Sequence, residues 1–394
     1  MSTRRIDAGS KNYFPAYTVW ELTLKCDQSC SHCGSRAGRE RQNELSKSEA
    51  LLLADELIQM NPREVALIGG EAYLHEGFFE IIKKLTDAGI PVTMTTGGQG
   101  VTESISKEAV KSGLKNVSVS IDGTEEHHDL IRRKKGSFAA ASRALEHLKN
   151  AGMLISSNIN INRINKNDLE YVFGYLKNLG VSSWQIQITV PLGRASDRPD
   201  MILQPWDLIE LMPEIYSLKK KAFDDEILIM PGNNLGYFGP EEAVLRSLNL
   251  TDRDHWQGCQ AGKFVMGIES DGGIKGCPSL QSVPYIGGNI REKTLDDIWK
   301  NSPEISFARN RTVEDLWGFC RTCVFASHCL GGCSFTAHSL FGRLGNNPYC
   351  HYRAKTLSKK NIRERLVLKK AAPGLPFDHG IYEIQEEPFD SDSR

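Results

Sequence analysis

Several features that the 394-residue sequence lacks already limit what the protein can be. It has no run of about eighteen apolar residues, so we expect no membrane-spanning helix. Its first residues, MSTRRIDAGSKNYF, lack the apolar centre of a signal peptide, which predicts a cytoplasmic protein with reduced thiols. The formal net charge is −1, so no excess of one sign indicates nucleic acid or a membrane surface as a partner.

Cysteine is missing from the whole middle of the chain. None lies between Cys33 and Cys259, and the ten cysteines form one group of three and one group of seven. In a reducing compartment, closely spaced cysteines bind metal more often than they form disulfides. The sequence therefore predicts two metal-binding regions, which contain Cys26, Cys30 and Cys33, and then Cys259, Cys277, Cys320, Cys323, Cys329, Cys333 and Cys350.

Between the two cysteine groups, short β-branched segments alternate with amphipathic ones. Six such units with short connections favour a parallel sheet covered by helices, as a complete or partial TIM-type barrel; a doubly wound sheet is the alternative. The predicted strands are Tyr17–Leu24, Glu64–Ile68, Val92–Thr95, Val117–Ile121, Ile155–Ile161 and Trp184–Thr189, with Ile227–Met230 as a possible seventh. The predicted helices are Lys47–Gln59 after an N-cap at Ser46, Glu76–Ala88, Glu103–Ser112, Phe138–Ala151, Asp168–Leu179 and Pro205–Lys221.

Polar and glycine-rich segments follow these strands. Cys26–Cys33 follows the first, Gly69–Glu71 the second, Thr95–Gly98 the third and Asp122–Gly123 the fourth. In parallel α/β folds the carboxyl ends of the strands carry the functional site. We therefore expect these segments to meet at one end of the sheet.

The first cysteine motif reads C-x3-C-x2-C from Cys26 to Cys33. Thiolates at this spacing can hold an iron–sulfur cluster, and three of them leave one metal position open for a substrate or cofactor. A partial zinc site or three structural thiols is the alternative that this segment alone leaves open.

Together with Gly69-Gly70-Glu71, this motif resembles the radical S-adenosylmethionine (SAM) enzymes, from about Tyr17 to Met230. The resemblance implies that Cys26, Cys30 and Cys33 hold a [4Fe–4S] cluster whose open iron is chelated by SAM. It also implies that Gly69, Gly70 and Glu71 receive the ammonium of SAM. In this family, one electron from the cluster splits SAM to a 5′-deoxyadenosyl radical, which abstracts hydrogen from carbon. Ala72 replaces the proline that often follows the motif.

Further SAM contacts are implied by the same resemblance. His32 stands at the family's adenine position, with a surface histidine as the alternative. Val119–Gly123 and His128-Asp129-x-x-Arg132 resemble the S-x-D-G…H-D-x-x-R stretch of the peptide-modifying branch, which implies Ser120, Asp122 and Arg132 as cofactor-binding residues. Asp122 as a turn cap and Arg132 as a solvated side chain are the alternatives. Thr96-Gly97-Gly98 replaces the usual T-N-G, so the asparagine contact is not expected.

The second cysteine region resembles the seven-cysteine SPASM domain, including a Leu295-x-x-Ile298-Trp299 segment. The resemblance implies two auxiliary [4Fe–4S] clusters, three clusters in all. A pair of zinc-ribbon sites is the alternative. One cluster would be held by Cys320, Cys323, Cys329 and Cys350; the other would be held by Cys259, Cys277 and Cys333, with its fourth position open or filled by Asp254 or His255.

The predicted organisation is a partial (β/α)6 barrel followed by a small cysteine-rich domain. We expect an N-terminal extension (1–15), a radical SAM barrel (16–235), a linker (236–256), a SPASM domain (257–355) and a C-terminal helix with a flexible tail (356–394). The basic stretch Tyr352–Lys370 is predicted to be helical, and Pro373 and Pro376 to begin the tail.

SPASM-containing radical SAM enzymes mostly modify peptides or proteins. The resemblance therefore implies a maturase that abstracts hydrogen from a residue of a ribosomally made precursor peptide and leaves a cross-link or an oxidised residue. Expected partners are the peptide, a separate leader-peptide recognition protein and a flavodoxin- or ferredoxin-type electron donor. The alternatives are an anaerobic sulfatase-maturing enzyme, a small-molecule dehydrogenase or tetrapyrrole-modifying enzyme, and a non-enzymatic iron–sulfur electron carrier. No residue stands out as a catalytic acid or base.

Overall fold

The computed structural model describes residues 11–251 and 253–389, so most of the predicted N-terminal extension lies outside the described residues. The strands are β1 (Tyr17–Glu21), β2 (Glu64–Ile68), β3 (Val92–Thr96), β4 (Asn116–Ser120), β5 (Leu154–Ile161), β6 (Ser183–Ile188), β7 (Leu228–Pro231), β8 (Val265–Ile268), β9 (Gly273–Lys275), β10 (Ile286–Asn289), β11 (Ile362–Lys370) and β12 (Ile381–Pro388). The helices are α1 (Lys47–Met60), α2 (Phe78–Asp87), α3 (Glu103–Lys111), α4 (Glu125–Arg132), α5 (Ser137–Asn150), α6 (Leu169–Leu179), α7 (Leu208–Asp224), α8 (Glu242–Arg246), α9 (Leu295–Asn301), α10 (Pro303–Ser306), α11 (Ala326–Cys329), α12 (Ser334–Phe341) and α13 (His351–Ser358).

Strands β1 to β7 pair side by side in chain order, and every pair is parallel. A doubly wound sheet reverses its strand order at a switch point, whereas a TIM-type barrel adds each strand to the same side. The sequential order therefore confirms the partial-barrel prediction and excludes the doubly wound alternative. On the other side of β1, β8 pairs in parallel, and β9 and β10 continue the sheet in antiparallel fashion.

The predicted barrel strands and helices agree with the observed ones to within a few residues, and the possible seventh strand is present as β7. Ser46 caps α1 as predicted: its hydroxyl accepts from the Glu49 N–H and the Glu49 carboxylate accepts from the Ser46 N–H. The sequence prediction missed α4, which begins after the Thr124 N-cap. Its eight residues carry the H-D-x-x-R motif, so this motif lies on a helix.

The two faces of the barrel sheet differ in chemistry. Val119, Ile159 and Ile186 point to the outer face and belong to the main hydrophobic core under the helices. On the opposite face, Ser120, Asn158 and Gln185 form one register row across β4, β5 and β6. Asn160 and Gln187 form the next row. The lumen face of this half of the barrel is therefore uncharged but rich in hydrogen-bonding groups.

The Leu295-x-x-Ile298-Trp299 segment docks the cysteine-rich region on the barrel. All three side chains are buried in the main core. The Leu295 N–H donates to the Glu56 carboxylate of α1 at 2.5 Å. The Trp299 indole N–H donates to the Tyr13 carbonyl. This segment of the cysteine-rich region thus packs in the same core as the barrel.

The segment predicted as a linker (236–256) is packed. The Arg246 guanidinium packs against the rings of both Tyr237 and Trp256, 5.3 Å and 5.6 Å from their centroids. Both rings are almost fully buried. The glycines and charges that favoured a linker therefore surround two buried aromatic anchors.

The prediction of a helix over Tyr352–Lys370 is wrong beyond Ser358, and the prediction of a flexible tail is wrong up to the last described residue. After α13 the chain forms the antiparallel hairpin β11–β12. Arg353 makes a two-pronged ion pair with Glu364, at 2.6 Å for both nitrogen–oxygen pairs, in a buried position. The Gln204 side-chain amide accepts from the Leu366 N–H, which ties the hairpin to the barrel loops. These buried contacts give the segment its strand structure despite its basic composition.

The loop between β11 and β12 crosses to the β1 and β9 side of the barrel. The Phe377 ring packs against the Lys275 ammonium, 4.2 Å from its centroid, and against the Arg41 guanidinium. The Asp378 carboxylate accepts from the guanidinium of Arg36 at 2.8 Å. Arg36 lies three residues after Cys33 in the chain. The hairpin loop therefore contacts the cysteine loop of the barrel directly. Within the described residues, no helix is both long and apolar enough to cross a membrane.

Candidate cofactor and metal site

The loop that follows β1 holds the first three cysteines, and Arg194 fixes its shape. The Arg194 guanidinium donates to the carbonyl oxygens of Cys30 and Ala37, at 2.8 Å and 2.9 Å. Its backbone N–H donates to the Cys33 carbonyl. Because carbonyl oxygens in a loop have no strand partners, a single arginine satisfies three of them and keeps the cysteines in place.

The three thiols face one another in a partly buried space. The pKa of Cys26 is raised to about 12, first by burial, then by the Glu71 carboxylate and the Cys30 and Cys33 thiolates. Burial also raises the pKa of Cys30. The Cys26 and Cys30 thiols therefore resist ionisation in the absence of metal, and bound metal reverses this because it deprotonates its thiol ligands. The donor set therefore fits an iron–sulfur cluster with one open iron.

The glutamate turn after β2 is locked onto this cysteine loop. The Gly70 N–H donates to the Thr23 carbonyl and the Glu71 N–H to the Lys25 carbonyl, both at 2.7 Å. A Cβ at Gly70 would lie 2.0 Å from the Lys25 carbonyl oxygen. Gly69 and Gly70 are therefore required because backbone meets backbone at this contact.

The Glu71 side chain reaches the end of β3. Its two oxygens accept from the Thr96 hydroxyl at 2.5 Å and from the Gly97 N–H at 2.8 Å. The pKa of Glu71 is raised to about 7, first by burial and further by the Asp27 carboxylate, although these two hydrogen bonds oppose the rise. A bound ammonium would favour the ionised form. This carboxylate is therefore placed where a cation is needed.

Asp122, Arg132 and His32 form a buried cluster beside Cys30. Asp122 accepts from Arg132 at 2.6 Å and 2.8 Å and from the Asn160 N–H. Burial raises the pKa of Asp122, but the Arg132 guanidinium, His32, His128 and the Asn160 N–H together outweigh burial and lower this pKa to about 2. The remaining guanidinium nitrogen of Arg132, Nη1, lies 3.7 Å from the Cys30 sulfur. Arg132 is thus neither solvated nor exposed; it links the cysteine loop to β4.

His32 and Ser120 complete the predicted set. The His32 side chain is 9% exposed, and its partial burial lowers its pKa to about 4, so the imidazole is neutral. Its Nε2 lies 3.6 Å from Asp122. The Ser120 hydroxyl donates to the Thr96 carbonyl. All the predicted cofactor-binding residues are therefore brought together at the carboxyl ends of β1 to β4.

Several buried polar atoms at this site have no hydrogen-bond partner within the described residues. They are Asp27 Oδ1, Gln28 Nε2 and His32 Nδ1. Buried polar atoms are rarely left without a partner, and these three surround the cysteines and Glu71. A cofactor with an ammonium, a carboxylate and an adenine ring can satisfy such groups. The residues therefore fit SAM.

The sequence prediction missed Asp27, Gln28, Tyr73 and Thr96 at this site. Asp27 accepts from the Tyr73 hydroxyl at 2.7 Å, and that hydroxyl accepts from the Gly100 N–H. The signal for Asp27 and Gln28 was their place inside the cysteine motif. Thr96 stands in the Thr96-Gly97-Gly98 segment that replaces T-N-G, but the sequence prediction used only the missing asparagine there, and Tyr73 carried no signal.

The seven later cysteines separate into the two predicted groups. Cys277 and Cys333 have pKa values raised to about 12 and about 11, first by burial and then by nearby thiolates that include Cys259. Cys320, Cys323, Cys329 and Cys350 line a single cavity, whose other walls include the rings of Phe238, Phe319, Phe325 and Tyr352. Three and four converging thiols suit the two auxiliary clusters of the sequence prediction.

Asp254 and His255 were the predicted candidates for a fourth ligand of the Cys259 group. The His255 ring packs near Phe238 and His328, on the side of the Cys320 group. The Asp254 N–H donates to the Ser247 hydroxyl. The described contacts therefore do not place His255 beside Cys259.

A chain of rings joins the barrel site to the Cys259 group. Cys259 and Cys277 pack against the small core that contains Tyr285. The Tyr285 hydroxyl bonds His338 Nδ1 at 2.6 Å, and the His338 ring lies 5.1 Å from that of His379. His379 bridges to Leu192, next to the loop that holds Cys33. The hairpin loop therefore fills the space between two of the three cysteine groups.

Two family models match the chain. The Radical SAM superfamily matches residues 20–176, and the iron-sulfur cluster-binding SPASM domain matches residues 259–324. The chain therefore has a radical SAM domain followed by a SPASM domain, and the protein is a radical SAM enzyme. Its cofactors are SAM and [4Fe–4S] clusters. The zinc-ribbon and non-enzymatic carrier alternatives are set aside.

Relatives that match most of the chain carry different names. The AdoMet-dependent heme synthase of Methanosarcina barkeri is 29% identical over 349 residues, which cover 86% of this chain and 97% of that protein. The mycofactocin maturase MftC of Mycobacterium ulcerans is 29% identical over 366 residues, which cover 89% of this chain and 92% of that protein.

Solved structures share the fold. Native anSMEcpe with bound AdoMet matches with a TM-score of 0.65 at 18% identity, covering 86% of this chain and 95% of that chain. Streptococcus suis SuiB bound to precursor peptide SuiA matches with a TM-score of 0.64 at 15% identity, covering 86% of this chain and 75% of that chain. At these identities the likeness shows the fold alone.

Proposed function

We propose that this radical SAM enzyme is a maturase that abstracts hydrogen from a residue of a ribosomally made precursor peptide and leaves a cross-link or an oxidised residue. The observation that carries the proposal is the chemistry of the lumen face beside the SAM site. Ser120, Asn158 and Gln185 form one row there, and Asn160 and Gln187 the next.

This lumen face suits a peptide chain. Amides and hydroxyls both donate and accept, and they can pair with the N–H and C=O groups of a peptide without a net charge on either partner. Arg41 and Lys275, at the β1 and β9 side, are neutralised by Glu21 and Glu269. A substrate with several carboxylates would need cations that are free to pair with it.

The proposed ligands of the SAM-binding cluster are Cys26, Cys30 and Cys33. When bound, this cluster supplies the electron that splits SAM into methionine and the radical that attacks the substrate. Glu71 receives the SAM ammonium, while the Thr96 hydroxyl and the Gly97 N–H hold the Glu71 carboxylate in position. Arg132 and Asp122 keep the neutral His32 ring in place beside the adenine.

The proposed auxiliary clusters make three in all. Cys320, Cys323, Cys329 and Cys350 hold one, and Cys259, Cys277 and Cys333 hold the other. They give the substrate electron a path away from the barrel. A separate leader-recognition protein and a flavodoxin- or ferredoxin-type donor are the proposed partners.

Tetrapyrrole modification is the second candidate, and the name of the Methanosarcina barkeri relative supports it. Sulfatase maturation, an alternative from the sequence resemblance, is the third. The three differ in substrate, while the SAM chemistry is common to all of them.

One anaerobic assay separates these candidates. The reconstituted enzyme is incubated with SAM, reductant and one of three substrates: a small peptide encoded beside its gene, an iron coproporphyrin, or a sulfatase-derived peptide. Mass spectrometry should show the loss of two hydrogen atoms only from the peptide that is encoded beside the gene, called here the neighbouring peptide. The Cys30→Ser variant is the control and should modify nothing. Turnover of the porphyrin or the sulfatase peptide, with an unchanged neighbouring peptide, would overturn the proposal.

A further inference from the structure

Asp27 directly follows Cys26 in the cysteine loop, and its side chain points toward the glutamate turn. One carboxylate oxygen accepts from the Tyr73 hydroxyl at 2.7 Å. The other oxygen is buried and has no partner among the residues described. The Tyr73 hydroxyl is itself fixed by the Gly100 N–H at 3.0 Å. The carboxylate is therefore held in one orientation with one oxygen left available.

This available carboxylate stands next to Glu71. One oxygen of Asp27, one oxygen of Glu71 and the Cys26 sulfur all lie within 4.8 Å of one another. Two carboxylates this close repel each other unless a cation lies between them. The nearby cations are occupied otherwise: Lys134 donates to the Asp27 backbone carbonyl, and Arg132 pairs with Asp122.

Gln28 independently indicates a ligand at the same place. Its side chain is 5% exposed, and its Nε2 has no partner within the described part of the chain. Its amide oxygen would lie 2.4 Å from a Cβ built on Gly97, and Glu71 would lie 2.9 Å from the same point. The amide thus points into the space that Glu71 faces. A donor beside two acceptors suits a ligand with both an ammonium and a carboxylate.

We propose that Asp27 is a second carboxylate for the ammonium group of SAM, which it binds together with Glu71. Three N–H bonds of an ammonium can be shared between two carboxylates and one further acceptor. Tyr73 is then a positioning residue, because it fixes Asp27 without touching the ligand. The inference does not depend on which substrate the enzyme modifies.

The test is a binding measurement on the anaerobically reconstituted holoenzyme without substrate. Dissociation constants are measured for SAM, for S-adenosylhomocysteine, which keeps the ammonium but lacks the sulfonium, and for a SAM analogue without the amino group. Asp27→Asn removes the charge and keeps the shape. It should raise the dissociation constants of SAM and S-adenosylhomocysteine by about tenfold to hundredfold, since a hydrogen bond to a charged group is lost. The dissociation constant of the amino-free analogue should stay unchanged.

Two further variants keep the test decisive. Tyr73→Phe should produce a smaller loss in the same direction. Glu40→Gln removes an exposed carboxylate that pairs with Lys25 on the same loop, and it should change none of the three constants. Iron content verifies cluster loading in each variant. Unchanged SAM affinity in Asp27→Asn, or an equal loss for all three ligands, would overturn the inference and would leave the peptide proposal untouched.

Discussion

Two glycines decide how the glutamate turn meets the cysteine loop. A Cβ at Gly69 would lie 2.3 Å from the Thr23 carbonyl oxygen, and one at Gly70 would lie 2.0 Å from that of Lys25. Both obstacles are backbone atoms, which cannot rotate away as a side chain can. The position of Glu71 relative to the cysteines therefore depends on the absence of two methyl groups.

A methyl group at this contact should cost stability. Gly70→Ala should lower the free energy of unfolding by at least about 1–3 kcal/mol, because overpacking forces the backbone apart. Gly38→Ala is the matched control in the same loop, since nothing lies within 4 Å of its added Cβ. Denaturant unfolding measures both variants. Equal stability of the two would contradict the account of this contact.

The Thr96 hydroxyl should matter for SAM binding. Thr96→Val removes the donor to Glu71 and keeps the shape, so the SAM dissociation constant should rise by about tenfold. Thr96→Ser keeps the hydroxyl and should stay close to wild type. Equilibrium binding to the reconstituted enzyme measures both. A valine variant that binds SAM like the serine variant would show that this hydrogen bond is unimportant.

At the scale of elements, the barrel strands were predictable and the C-terminal hairpin was not. The barrel strands are short β-branched runs separated by helix caps such as Ser46, so local signals located them. In β11, the buried position 364 is a glutamate, and the Arg353 guanidinium from α13 compensates its buried charge. That pairing joins residues from different elements, so composition alone misled the prediction toward a helix.

The buried ion pair should hold the hairpin in place. Arg353→Met leaves Glu364 buried without its partner and should cost about 3–5 kcal/mol in unfolding free energy. Lys369→Met breaks the exposed pair with Glu383 on the same hairpin and should cost less than about 1 kcal/mol. Chemical unfolding of both variants tests this difference. Comparable losses would contradict the structural role given to Arg353.

At the scale of the whole molecule, three cysteine groups are spread over one continuous fold. The resemblance to the family implied which cysteines belong to each group, and the structure brings the same cysteines together. The path between groups could not be predicted, because Tyr285, His338 and His379 come from three distant segments. The pairing of Asp27 with Glu71 could not be predicted either, because these two residues are close only in the folded chain.

Mutation should remove one proposed auxiliary cluster without affecting SAM binding in the barrel. Replacing Cys320 and Cys350 with alanine should remove the iron of one four-iron cluster, because half of that cluster's proposed ligands are lost. SAM binding should persist, since these cysteines line a different cavity from the SAM site. Iron analysis and SAM binding measure the two effects. Loss of SAM binding along with the iron would contradict separate sites.

The central claim is that the loop after β1 holds the cluster that cleaves SAM. The most direct measurement is the formation of 5′-deoxyadenosine by anaerobically reconstituted, reduced protein. Wild type should produce it, and a variant with alanine at Cys26, Cys30 and Cys33 should produce none while keeping the iron of its auxiliary clusters. No 5′-deoxyadenosine from the fully loaded wild type, or equal amounts from both proteins, would contradict the claim.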